Sequence, residues 1–125
     1  MKVISVFGSS QLKPGTPEYV EAFQIGITLS NLGFTVMTGG YGGIMAAVSE
    51  GAFIEGGVTI GVVSDVFSDR KPNKWVKKLV TVSSFKERLF YLIENTDAYL
   101  IFSGGIGTLC EILFAWNMMQ VGQIP

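Results

Sequence analysis

Ala98-Tyr99-Leu100-Ile101-Phe102-Ser103-Gly104-Gly105-Ile106-Gly107-Thr108-Leu109-Cys110-Glu111 is the stretch that decides the fold. Its first five residues are the most apolar of the strands that can be read, too short for a helix and bounded by Ser103 and Gly104, which reads as a buried strand. The glycines at 104, 105 and 107 make a turn, and residues 108–119 read as a helix. A strand that feeds a helix through a glycine turn is half of a parallel-sheet unit, because parallel neighbours need a crossover.

The same unit recurs outward along the chain. Val3-Ile4-Ser5-Val6-Phe7 is a short β-branched run that stops at Gly8. Thr16 is placed to cap a helix whose first position is Pro17, where a missing N–H costs nothing. Ala22, Ile25, Gly26, Leu29 and Leu32 follow at helical spacing until Gly33. Residues 34–37 predict a second strand, Thr38-Gly39-Gly40-Tyr41-Gly42-Gly43 a turn, and residues 44–55 a helix rich in small side chains. A third strand is expected over 58–63, a polar loop over 64–77 and a short strand over 79–82. Ser84 and Glu87 have capping-box spacing for a helix through Glu94. Strands and helices alternating in this rhythm predict an α/β, Rossmann-like three-layer fold, with a parallel β-sheet and helices on both faces. The whole chain, 1–125, reads as a single domain. Gln123-Ile124-Pro125 resembles the approach to another strand, so a further C-terminal portion of the domain is expected.

Composition narrows the function classes. Only 15% of the residues are charged while 48% are hydrophobic, which points to an outer surface partly buried against another copy. The net charge of −1 offers no electrostatic footprint for nucleic acid, and the basic cluster from Arg70 to Lys78 reads as a solvated loop. Residues 22–49 carry no charge, yet Gln24, Thr28, Ser30, Asn31, Thr35, Thr38 and several glycines interrupt any membrane-spanning run. Lys2 and the few apolar residues after it are too short for a secretory signal, so a soluble cytoplasmic protein is expected. The absence of histidine removes Ser-His-Asp triads and imidazole metal sites, and the one cysteine, Cys110, allows no internal disulfide. Acid–base chemistry falls to Asp, Glu, Lys or Tyr.

In an open parallel sheet, ligands bind outside the carboxyl ends of the strands. Three turns expected at that edge are glycine-rich: Gly8-Ser9-Ser10, Gly39 to Gly43, and Gly104-Gly105-Ile106-Gly107-Thr108. Glycine lets the backbone approach an anion, and helix N-termini present N–H groups to it. The Gly104 turn, with the Thr108 hydroxyl, is the stronger anion candidate; the Gly39 turn serves anion binding or close backbone contact equally well. None has the G-x-G-x-x-G spacing of a dinucleotide site or the lysine of a P-loop, which disfavours hydride transfer and nucleoside triphosphate hydrolysis. Two charges stand out. Arg88 lies in the first turn of its helix, where a cation opposes the macrodipole, and Glu111 sits in an otherwise apolar helical segment. They are surface residues, a mutual pair, or the reactive groups of a site.

The segments Gly39-Gly40-Tyr41-Gly42-Gly43-Ile44-Met45 and Ser103-Gly104-Gly105-Ile106-Gly107-Thr108-Leu109-Cys110-Glu111 resemble the two signature motifs of the LOG ("lonely guy") family, the second of which reads P-G-G-x-G-T-x-x-E. Phe85-Lys86-Glu87-Arg88-Leu89 is similar to the family's M-x-x-R-K segment. The resemblance implies a phosphoribohydrolase that cleaves the N-glycosidic bond of a nucleoside 5′-monophosphate such as AMP. It implies Arg88 and Glu111 as the catalytic pair, and Gly104, Gly105, Gly107 and Thr108 as the phosphate cradle. Gly8, Ser9, Ser10, Gly40, Gly42 and Gly43 complete the substrate-binding turns. It implies no metal and no organic cofactor, and a site completed in a homodimer or larger homo-oligomer, with the helices from Ile44 and from Thr108 as candidate contacts. Phe85, Leu89 and Ser103 depart from the motif methionine, lysine and proline, and Cys110 from an acidic residue common in plant members. The alternative that the same fold allows is a non-catalytic carrier of nucleotides or of molybdenum cofactor. A pyridoxal-dependent lysine decarboxylase is disfavoured, because no lysine lies beside a phosphate-binding turn.

Overall fold

The structure is a computed structural model that describes residues 2–67, 70–102 and 106–124, with the side chains of residues 67 and 106–110 outside the description. The elements run β1 (Val3–Phe7), α1 (Pro17–Asn31), β2 (Thr35–Thr38), α2 (Ile44–Ile54), β3 (Thr59–Ser64), a short 3₁₀ turn (Asp65–Phe67), β4 (Lys78–Val82), α3 (Phe85–Glu94), β5 (Ala98–Ile101) and α4 (Ile106–Gln120). Every strand and helix read from the sequence is present, most of their ends within a residue or two.

Local chemistry explains the helix starts. The Thr16 hydroxyl accepts from the Tyr19 N–H, with Pro17 in the first turn of α1. Ser84 caps α3 by accepting from the Glu87 N–H at 3.0 Å. The return bond of the expected capping box lands one residue early: the Glu87 carboxylate accepts from the Ser83 hydroxyl at 2.9 Å.

All five strands are parallel, in the order β4-β3-β2-β1-β5. Strand pleating divides the apolar side chains between two cores. Ile4, Val6, Val36 and Leu100 face α1 and α2, where Tyr19, Ala22, Ile44, Ala47, Val48 and Ala52 close the first core. Val3, Phe7, Met37, Val62 and Tyr99 face the opposite way, against Leu92 and Ile93 of α3 and Ala115 of α4. The result is the three-layer arrangement. In the first layer α1 and α2 meet backbone to backbone: a Cβ on Gly26 would strike the Val48 carbonyl, and one on Gly51 the Phe23 carbonyl. In the second, the buried Ser5 hydroxyl donates to the Leu92 carbonyl at 2.7 Å and ties α3 to β1.

One connection departs from strict alternation. β3 and β4 are parallel neighbours, yet no α-helix is described between them. The linking loop is held by polar bonds instead: the Asn73 N–H donates to the Gly40 carbonyl and its side-chain amide to the Tyr41 carbonyl, both at 2.8 Å. At the far end Thr59 takes the Lys77 N–H on its hydroxyl at 2.9 Å. Among the described residues no helix is long and apolar enough to cross a membrane.

The chain leaves β1 toward β2 on one side and later returns to place β5 on the other. The crevice at the carboxyl ends of β1 and β5 is therefore the topological switch point, the place where such sheets hold ligands.

Candidate functional site

Arg88 enters the site because α3 starts over the carboxyl ends of β2 and β3. A side chain in the first helical turn leans back toward the N-terminus, so the guanidinium reaches the strand ends. It is buried, 8% exposed. Its Nε donates to the Val62 carbonyl at 2.9 Å, and one terminal nitrogen donates to the Gly39 carbonyl at 3.1 Å and approaches the Met45 sulfur at 3.9 Å. The guanidinium carbon lies 5.4 Å from the centre of the Tyr41 ring, a cation–π distance. Gly39 is glycine for a spatial reason: a Cβ there would occupy the position of the Arg88 terminal nitrogen.

Glu111 lies in the second turn of α4 and is partly buried. Burial pushes its carboxyl up to about 7, and the Arg88 charge pulls it back. Burial likewise lowers the Arg88 pKa; Glu111 and Tyr41 favour its charge, and Arg70 opposes it. The structure therefore brings the two anomalous charges of the sequence into one electrostatic site, on helices that follow different strands. A carboxyl that titrates near neutrality can exchange a proton or hold a negative charge beside a developing cation.

The first two glycine turns are knitted together. The Ile44 N–H donates to the Ser9 carbonyl at 2.9 Å, and a Cβ on Gly8 would meet the Ile44 side chain at 2.7 Å. Gly43, at φ +66°, and Gly40, at φ +83°, adopt a backbone conformation that L side chains rarely take. A Cβ on Gly43 would also strike the Ser9 carbonyl. Gly40 donates its N–H to the Thr38 hydroxyl at 3.0 Å. Positive φ thus favours glycine at both 40 and 43, with the Val63 side chain pressed against the first and the Ser9 carbonyl against the second, whereas Gly42 is exposed. The Ser9 hydroxyl accepts from the Gln11 N–H, and the Gln11 side chain donates to the Ser10 hydroxyl. Gly104 and Gly105 lie outside the described residues; Gly107 and Thr108 fall in the first turn of α4, and the Thr108 side chain lies outside the description.

Sequence reasoning passed over Tyr41 as a functional side chain. Its ring is 5% exposed beneath Arg88, and its hydroxyl bonds to the Ser64 backbone at the end of β3. The available signal was an aromatic residue inside a run of glycines. A cleft of about 250 Å³, lined by Leu12, Glu18, Glu21, Ile44, Ile101 and Phe102, opens beside the ends of β1 and β5.

A model of the SLOG cluster4 family matches residues 1–121. A cytokinin riboside 5′-monophosphate phosphoribohydrolase of Mycobacterium marinum is 32% identical over 112 residues, covering 87% of this chain and 60% of that protein. The Mycobacterium tuberculosis protein of the same name is 31% identical over 103 residues, covering 81% and 55%. The chain thus spans little more than half the length of these relatives. Among solved structures, the structural genomics target TM1055 aligns with a TM-score of 0.83 at 32% identity, over 94% of this chain and 70% of its own. A molybdenum cofactor binding protein from Rippkaea orientalis aligns at 0.82 with 25% identity, over 94% and 72%. The molybdenum cofactor carrier protein of Chlamydomonas reinhardtii shares the fold at 0.81 with 22% identity, over 99% and 73%.

Proposed function

The chain belongs to the SLOG cluster4 family, and from that premise we propose that it hydrolyses the N-glycosidic bond of a nucleoside 5′-monophosphate such as AMP. The products are the free base and ribose 5-phosphate. The observation that carries this reading is the meeting of Arg88 and Glu111, each shifted by burial and each acting on the other's charge, at the carboxyl edge of the sheet.

The chemistry follows from their placement. As the C1′–N bond breaks, its electron pair goes to the base nitrogen and positive charge grows on the ribose ring. The ionised Glu111 carboxylate stabilises that charge and positions the water whose oxygen attacks C1′; the water's proton ends on the departing base. Arg88 acts beside the leaving base. With Nε and one terminal nitrogen donating to backbone carbonyls, it works as an oriented charge rather than a mobile arm. The turn of Gly104, Gly105, Gly107 and Thr108 takes the 5′-phosphate at the start of α4, with Gly8, Ser9 and Ser10 beside it and Gly42 at the exposed edge. Gly40 and Gly43 shape the neighbouring turn. Phosphate binding away from the reacting carbon orients the sugar, and no metal or organic cofactor is assigned a part.

The same proposal includes a cytoplasmic homodimer or larger homo-oligomer. Between the two helices named from the sequence, α4 is the better contact. Most of α2 is buried within its own chain, whereas α4 exposes Leu113, Trp116 and Met119.

A second reading, a carrier that binds nucleotide or molybdenum cofactor without cleaving it, draws support from the likeness to the Rippkaea orientalis protein. A panel of nucleoside monophosphates separates the two. The hydrolase reading expects free base to accumulate with ribose 5-phosphate in equal amounts. AMP that binds and is recovered intact establishes the carrier reading instead.

A further inference from the structure

The loop between β3 and β4, with the first residue of β4, carries five of the nine cations of the chain, Arg70, Lys71, Lys74, Lys77 and Lys78, and the hydrolytic chemistry uses none of them. Arg70 differs from the four lysines in where the fold holds it. Three residues later, Asn73 clamps the loop onto the Gly40 and Tyr41 carbonyls, and Pro72 stiffens the span between. The exposed Arg70 guanidinium carbon stands 5.9 Å from the centre of the Tyr41 ring, the same ring that Arg88 approaches at 5.4 Å. Two like charges therefore share one aromatic side chain, and Arg70 opposes the charge of Arg88. Negative charge arriving between them relieves that repulsion.

Sheet order says which end of the substrate arrives there. Arg88 bonds to Val62 of β3 and to Gly39 just after β2, whereas α4, with Glu111, follows β5 on the far side of β1. A nucleotide with its phosphate at the start of α4 and its sugar at Glu111 points its base across the ends of β1 and β2 toward the β3 loop. We propose that Arg70 contacts the nucleobase, donating to acceptor atoms on its edge at the end of the substrate opposite the phosphate. The inference rests on the hydrolase reading for the direction of the nucleotide. A guanidinium suits the task because its planar fork matches paired acceptors and gains strength as electron density moves onto the leaving base.

The test uses ligands with and without a base. In the Glu111→Gln protein, where turnover is stopped, Arg70→Gln is expected to weaken AMP about tenfold and to leave ribose 5-phosphate within about twofold. Arg70→Lys keeps the charge without the fork and falls between the two. Thermal unfolding of the Arg70 variants serves as the control for folding. Equal weakening of AMP and ribose 5-phosphate, or no weakening of AMP, overturns the assignment, as does a protein that binds neither. A wild-type protein that never releases base from AMP, while its variants show the expected split in affinity, removes the hydrolase reading and leaves the Arg70 contact standing.

Discussion

Glu111 titrates near 7 in the fold against 4.5 for an ordinary glutamate, so between those values the folded chain binds more protons than the unfolded one. Stability gained from that proton is full below about pH 4.5 and is lost as pH rises through about 7. Glu111→Gln removes this slope. Denaturant midpoints at pH 5 and pH 8 should show the wild type losing roughly 1–3 kcal/mol more than the variant between the two conditions. A wild type and variant that change in parallel would mean the carboxyl is not held as described. At this scale the sequence was informative about which two charges the fold buries within reach of each other. A cation in an N-terminal turn and a carboxylate in an apolar helix are local anomalies, visible in a short window. The partners of Arg88 were not visible, because Val62 and Gly39 lie 26 and 49 residues away and only the folded sheet brings their carbonyls to it.

At the scale of elements, the turn after β2 is a spacer between a strand end and a guanidinium. Gly39→Ala places a methyl group where the Arg88 terminal nitrogen sits, so the guanidinium must leave the Gly39 carbonyl or the turn must shift. Base release should fall by about tenfold or more, with a loss of stability of about 1–3 kcal/mol. A Gly39→Ala protein with wild-type release rates would show that Arg88 need not be held in this position. The strands and helices themselves were legible, because β-branched runs, a capping threonine before proline and glycine stops act locally. The route from β3 to β4 was not. Residues 64–77 read as a loop, and nothing in their composition said that Asn73 would bridge to the Gly40 turn or that the strand beyond would lie at the edge of the sheet. The Gly104 turn, the strongest motif in the sequence, falls partly outside the described residues, and its role stays with the proposal.

For the whole molecule, the strand order β4-β3-β2-β1-β5 sets the direction of the site. Alternation of strand and helix predicts a parallel sheet covered on both faces, but it does not say which strand takes which place, since any right-handed crossover buries the same apolar stripes. The low charge content does find a physical counterpart. Along α4, Leu113, Trp116 and Met119 are 52%, 60% and 44% exposed, beside a hollow of about 220 Å³ lined by Leu113, Trp116, Asn117 and Gln120. If a second copy covers this face, sedimentation of the protein should show a dimer or larger species, and Trp116→Glu should shift it toward monomer. A wild type that sediments only as monomer contradicts the assembly.

The most direct measurement is adenine release from AMP as a function of pH, made on the wild type and on Glu111→Gln side by side. With an ionised Glu111 carboxylate as the reactive form, the wild-type rate should climb about tenfold per pH unit on the acid side and level off above about pH 7, while Glu111→Gln binds AMP and releases no adenine. Release by Glu111→Gln at the wild-type rate, with the same dependence on pH, would contradict the assignment of the reaction to this carboxyl.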